Sequence, residues 1–335
     1  MRKAPALALA LASGCVEAPT ALVPDSPVLA VCGQQRIDGF PTTTQLSIAV
    51  TASGTNVLWT PAGGGSLMTQ RLATDGHALG DATVAFAGTF SDATAAVVDD
   101  QVIVGAVEGD QTWMLAAPLG APPYRELAIV GGIVGASPIA IAGGQRVTAS
   151  VSYGGMLVNA FDDTWIARTS THAVLTPSAR EVAVAHGDRD ALVVWPTQDT
   201  CYVEQLTDAA HGATWTDAGT CGAPRLASAG TDSALVFERD GDIYLARGAV
   251  PRASDAVRIG SGTEPRIVAV GTTLWLSYTD ATGAVIAGMV DGGLDVHTLP
   301  LDGAATAHEL AVAGGVPRVY AVGPAGLTVS ALCTE

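Results

Sequence analysis

The chain has 335 residues, of which 48% are of hydrophobic type, 5% aromatic and 14% charged, and it carries 39 glycines. That mixture excludes a helical bundle or a disordered tail and leaves β structure built from small residues as the bulk of the molecule. Acidic residues outnumber basic ones 32 to 16, so the surface should repel nucleic acid and anionic lipid. The single lysine, Lys3, stands in the N-terminal leader. Lysine Schiff bases, the phosphate-loop lysine and the kinase lysine are therefore excluded from the folded part.

The leader reads MRKAPALALALASGC: a basic start, an apolar run from Ala4 to Ala12, then small residues ending in Cys15. This is the three-part layout of an export signal, and its apolar run is too short to span a bilayer. Leu11-Ala12-Ser13-Gly14-Cys15 resembles the lipobox of bacterial lipoproteins, with departures at Ala12 and at Pro5. The resemblance implies cleavage before Cys15 and lipidation of that cysteine. Residues 1–14 would be a signal peptide, 15–27 a lipidated cysteine and tether containing Pro19, Pro24 and Pro27, and 28–335 the folded domain. The expected location is the cell envelope, as an outer-membrane lipoprotein. Cleavage after Ala12 would instead release a soluble protein. Loss of residues 1–14 removes Arg2 and Lys3 but no acid, taking the net charge from −16 to −18.

Five cysteines leave an odd one, and Cys15 is the natural candidate. Cys32, Cys201, Cys221 and Cys333 remain, with three possible pairings in an oxidising compartment.

From residue 46 onward a unit recurs: a short strand of small apolar residues, a turn, then bulkier strands. The first strands are 46–50, 94–98, 138–142, 181–185, 225–229, 266–270 and 309–313, whose ends are separated by 48, 44, 43, 44, 41 and 43 positions. Seven units of this period resemble the blades of a β-propeller, for which six or eight blades are less favoured. Alanine, serine and valine dominate the first strands, as expected where blades converge on a crowded axis. The uncharged stretch from Leu127 to Gly144 is long enough to suggest a membrane span, but its paired glycines and Ser137-Pro138 divide it into strand-sized pieces. The last unit ends after three strands, so the segment 27–40 is expected to supply its fourth and close the ring. That closure sets Cys32 beside Cys333, and hairpin geometry sets Cys201 beside Cys221.

Two local resemblances concern repeat style. Gln70 to Gly80 is similar to a unit of bacterial surface repeat proteins in which Asp75-Gly76 turns the hairpin between third and fourth strands. Gly212-Ala-Thr-Trp215 resembles the tail of a sialidase-type Asp box, placed in the equivalent hairpin, although Ala210 stands where the Asp belongs.

No nucleophile elbow, zinc-binding helix motif, Cys-x-x-Cys or dinucleotide fingerprint occurs, and the six histidines are scattered. No catalytic residue, metal site or cofactor is expected. Acidic pairs such as Asp99-Asp100 and Asp240-Gly-Asp242 read as turns. Arg180, Arg225 and Arg266 fall at or just before the start of three successive first strands, with His308 at the related place in the next. Together they form a candidate ligand site at the channel mouth for a carboxylate or phosphate. Glu181 and Glu309 are their alternative, structural partners. The sequence thus points to a monomeric binding or scaffold module of the envelope, with a protein or glycan partner, an anionic one included. The competing reading is an envelope glycosidase or lyase in which the three arginines imitate the sialidase triad.

Overall fold

The computed structural model describes residues 28–43, 45–131, 139–142, 145–152, 155–161, 167–173, 182–186, 190–207, 210–291 and 294–335. Cys15 and the leader, tether and Arg180 lie outside them.

The described residues form 28 strands and one short 3₁₀ turn, all strands belonging to four-stranded antiparallel sheets. After β1 (Leu29–Ile37), the sheets follow in chain order. The first comprises β2 (Ser47–Thr51), β3 (Gly54–Trp59), β4 (Gly65–Leu72) and β5 (Thr83–Phe90). The second is β6 (Asp92–Val98), β7 (Gln101–Glu108), β8 (Gln111–Pro118) and β9 (Arg125–Gly131). The third is β10 (Ile139–Ala142), β11 (Gln145–Ser152), β12 (Gly155–Phe161) and β13 (Ala167–Ala173). The fourth is β14 (Ala183–His186), β15 (Asp190–Pro196), β16 (Thr200–Thr207) and β17 (Ala210–Ala218). The fifth is β18 (Gly222–Ala229), β19 (Asp232–Arg239), β20 (Asp242–Gly248) and β21 (Val257–Ser261). The sixth is β22 (Thr263–Val270), β23 (Thr273–Thr279), β24 (Ala284–Val290) and β25 (Val296–Ala304). The last contains β26 (Ala307–Ala313), β27 (Val316–Gly323) and β28 (Gly326–Thr334), with β1 hydrogen-bonded to β28 along its outer side.

The first strand of each sheet touches the first strands of its neighbours in sequence, and β26 touches β2. This is the all-β propeller the repeat pattern predicts. Strand pleating explains how adjacent sheets share cores, because successive side chains leave opposite faces. Along β22, Ile267 and Ala269 pack with Ala227, Val236 and Leu276 toward the fifth sheet, whereas Val268 and Val270 pack with Leu310 and Val319 toward the last. Bulk increases outward: Trp195 stacks on Tyr202, with centroids 5.2 Å apart, across β15 and β16, and Phe237 on Tyr244, at 5.6 Å, across β19 and β20. First strands carry small residues since there the sheets lie closest together.

The hairpins between first and second strands are tight. Asp99 and Asp100 have φ of 50° and 58°, and Gly314 and Gly315 have 61° and 76°. Two positive values in succession match the twist of a two-residue hairpin, so the acidic pair is a turn. Asp75-Gly76 also turns as expected: Asp75 Oδ1 accepts the His77 amide at 3.1 Å, and Gly76 has a φ of 101°. A β-carbon on Gly76 would stand 3.3 Å from Val329 of β28, so this turn is pressed onto the last sheet.

Two sequence expectations need adjustment. Gly212 to Trp215 lies inside β17 and not in a hairpin, so it is not positioned as an Asp box. The uncharged stretch contributes β9 and β10, with residues 132–138 and 143–144 outside the described set. No helix among the described residues is long and apolar enough to cross a membrane.

Cys32 is disulfide-bonded to Cys333, with Cα atoms 5.9 Å apart, and Cys201 to Cys221, at 5.4 Å.

Candidate functional site

The ladder register defines a tier around the inner circle. Ser47 pairs with Leu58, Thr94 with Gly105, Ala183 with Val194, Arg225 with Val236, Arg266 with Ser277 and Glu309 with Tyr320. In each case the partner is eleven positions later in the chain. Arg225 and Arg266 are therefore structurally equivalent, as their spacing suggests. The other two assignments shift: in the fourth sheet the tier residue is Ala183 and not Arg180, and in the last it is Glu309 and not His308. Arg180 stands three positions before Ala183, the residue whose register matches that of Arg225 and Arg266. Counting from strand starts had hidden that offset. The mouth therefore carries a mixed tier, with Ser47, Thr94 and Glu309 among its members, and not a purely cationic ring.

Two tier side chains bridge to the next sheet. Ser47 Oγ accepts the Ala95 amide of β6 at 2.8 Å. Arg266 Nε donates to Glu309 Oε2 at 3.0 Å, while its Nη1 donates to the carbonyls of Glu264 and Pro265 at 3.2 and 3.0 Å. The pair is mostly covered, with side chains 13% and 23% exposed. Glu309 Oε1 also accepts the Leu310 amide at 3.0 Å. Arg225 Nη1 donates to the Pro224 carbonyl at 2.8 Å.

His308, one residue before Glu309, faces the opposite way, toward the sixth sheet. It is 1% exposed. Its Nδ1 lies 3.2 Å from Thr279 Oγ1, and its Nε2 has no hydrogen-bond partner among the described residues. Burial, then the positive charge of Arg266, push its pKa down to about 3; the Ser277 backbone opposes this and Arg225 adds to it. Arg225 and Arg266 hold the same register on adjacent first strands, and Arg266 is bonded to Glu309, the neighbour of His308 in the chain. Such a constellation supplies guanidinium donors for an oxyanion beside a neutral imidazole. Arg180 lies outside the described residues.

Elsewhere, His77 pairs with Asp75 at 3.1 Å and His297 approaches Asp291 at 3.8 Å. His172, His186 and His211 belong to β13, β14 and β17. No group of three or more His, Cys, Asp or Glu residues suited to a metal ion occurs among the described residues.

Sequence reasoning missed a second ion pair. Arg252, after β20, grips Asp217 of β17: Nε lies 3.1 Å from both carboxylate oxygens, and Nη2 also contacts Oδ1. The Ala253 amide donates to Asp217 Oδ2 at 2.8 Å. Burial would raise the Asp217 pKa, but the hydrogen bonds and charge of Arg252 and the backbone amides outweigh it and hold the carboxyl below its ordinary value. The partners are 35 positions apart in the chain, and no local pattern announces them.

No family model and no curated protein matches the chain. Solved structures do. The WD40 domain of Toxoplasma gondii coronin superposes with a TM-score of 0.65 at 12% identity, covering 92% of this chain and 87% of that one. The BP39L lectin of Burkholderia pseudomallei gives 0.65 at 13%, covering 88% and 96%. An ancestral GH74 enzyme gives 0.58 at 12%, covering 88% of this chain but 48% of that one. At such identities the likeness establishes the propeller fold alone.

Proposed function

We propose that the protein is a binding module of the cell envelope, a closed seven-bladed disc that presents its channel mouth to an anionic group on a protein or glycan. The observation that carries this reading is that Arg225 and Arg266 stand at equivalent places on adjacent first strands, with Arg266 bonded to Glu309 beside the buried His308. The propeller likeness to a lectin and to WD40 domains is compatible with it. Ring closure by the N-terminal strand is supported by the β1–β28 ladder and by contact between β26 and β2. Export is supported by the disulfides, and anchoring rests on the lipobox-like segment ending in Cys15.

A charge-assisted contact is worth about 1.5 to 3 kcal/mol, so Arg225→Ala should weaken binding of anionic sugars about tenfold or more while leaving the melting midpoint nearly unchanged. A lowered midpoint with unaltered binding would reduce the arginines to structural partners of nearby carbonyls and Glu309. Anchoring is tested separately: labelled palmitate should tag the wild type and not Cys15→Ser.

A further inference from the structure

A second site lies on the outer rim, away from the mouth. Between β25 and β1, the outer strands of neighbouring sheets, the surface forms a cleft of about 350 Å³, within the size range of ligand sites. Its base is apolar: Leu29 and Leu301 line it while being 7% and 8% exposed as members of the core. Val31 and Pro300 form walls, and Gln34 and Asp302 supply the polar groups. Val31 is 38% exposed, and Val28, just before β1, is 61% exposed, an unusual outlay of apolar surface for one strand end.

Both strands are sheet edges, β1 pairing with β28 alone and β25 with β24 alone. Open edges expose backbone donors and acceptors that invite another strand, and proteins blunt them with proline or bulges. On β25, Pro300 removes a donor from the middle of the strand. On β1 the register shift falls between Val31 and Gly33, leaving Leu29 to Val31 regular and unblunted. The same short stretch is held firmly from behind, since Ala30 pairs with Cys333 and Cys333 is bonded to Cys32. A rigid edge lowers the entropic cost of adding a strand. The sole charged side chain lining the cleft is Asp302, in a chain of net charge −16.

We propose that this cleft receives an extended basic peptide segment, which adds as a short strand to the Leu29–Val31 edge, sets alternate apolar side chains between Val31 and Pro300, and places a lysine or arginine at Asp302. Main-chain bonds would supply affinity and the cleft specificity. The site is independent of the arginines at the mouth.

The test is a displayed random heptapeptide library selected on the intact protein and counter-selected on Val31→Trp, whose indole stands on the cleft side of the strand beside Leu29. Val31→Lys, at the same exposed position, serves as a second blocked variant in case Val31→Trp melts early. The expected clones alternate apolar residues and carry at least one lysine or arginine. Asp302→Asn should weaken a synthetic clone about two- to fivefold, as for an exposed ion pair. Methylation of alternate backbone nitrogens on the ladder side should weaken it about tenfold or more. The proposal is overturned if no clone depends on the open cleft, if the methylated peptide binds equally well, or if cyclohexylmethylamine alone displaces the peptide at comparable occupancy, which would make this a small-molecule site.

Discussion

The outer parts of the sheets and the channel mouth both hold arginine–carboxylate pairs between neighbouring sheets, yet the two are built differently. Asp217 has 3% of its side chain exposed and takes Arg252 from two directions as well as a backbone amide. All of its acceptor capacity is spent inside the protein, close to the Cys201–Cys221 bond. Arg266 reaches Glu309 through Nε and gives Nη1 to two carbonyls, beside an imidazole with an unused nitrogen. A saturated pair is a fastening. A pair with polar capacity left at its border can exchange partners, and that difference is what singles out the mouth.

The comparison is sharpened most by the covalent fastening of the rim. Cys32 and Cys333 are 301 positions apart, and chain-entropy reasoning gives about 5 kcal/mol for so long a loop. Cys32→Ser with Cys333→Ser should lower unfolding free energy in denaturant titrations by that order while leaving ligand binding at the mouth intact. Next in size is Asp217→Ala, which strands a partly buried guanidinium and should cost about 3 kcal/mol. Arg266→Ala should cost about 1 kcal/mol, its contribution lying in binding. Equal losses from the two substitutions would erase the distinction between the regions.

Acid separates them by the pH window in which each loses stability, although both lose it as pH falls. The folded-state pKa of His308 is depressed to about 3 from an ordinary 6.5, so the unfolded chain takes up a proton that the folded one refuses. Stability from this group is complete above pH 6.5 and falls by about 1.4 kcal/mol per unit between there and pH 3. His308→Gln should flatten that slope. Asp217, depressed below 3.8, contributes above that value and loses its contribution only as pH falls through its still lower folded pKa. An unchanged slope in His308→Gln would mean that another group governs the acid limb.

The period of the repeat was readable because two-residue hairpins and small first strands recur in nearly every unit, and because propeller blades cannot admit bulk near the axis. Arg225 and Arg266 were legible for the same reason: both lie a fixed distance before a Gly-initiated turn. Arg180 misled because the fourth sheet's first strand takes its register from Ala183, three positions later, and nothing in the local sequence marks that start. Glu309 was read as a possible partner of the arginines although it is their structural equivalent, a distinction that exists only in the ladder register. Asp217 with Arg252, and the cleft between β25 and β1, arise from the abutment of separate sheets. Such contacts leave no periodic trace.

The Glu335 amide donates to the Val28 carbonyl at 2.9 Å, so the two ends of the folded domain meet, and the Cys32–Cys333 bond converts nearly all of its backbone into a covalent circle. A protease that cuts one exposed turn of such a circle opens it without releasing a fragment, because both new ends stay tied through the disulfide. A single nick is then a scar and not a loss. The same topology makes each surface turn a permissible place for new termini, so that the order of the repeats around the disc matters more than where the chain begins.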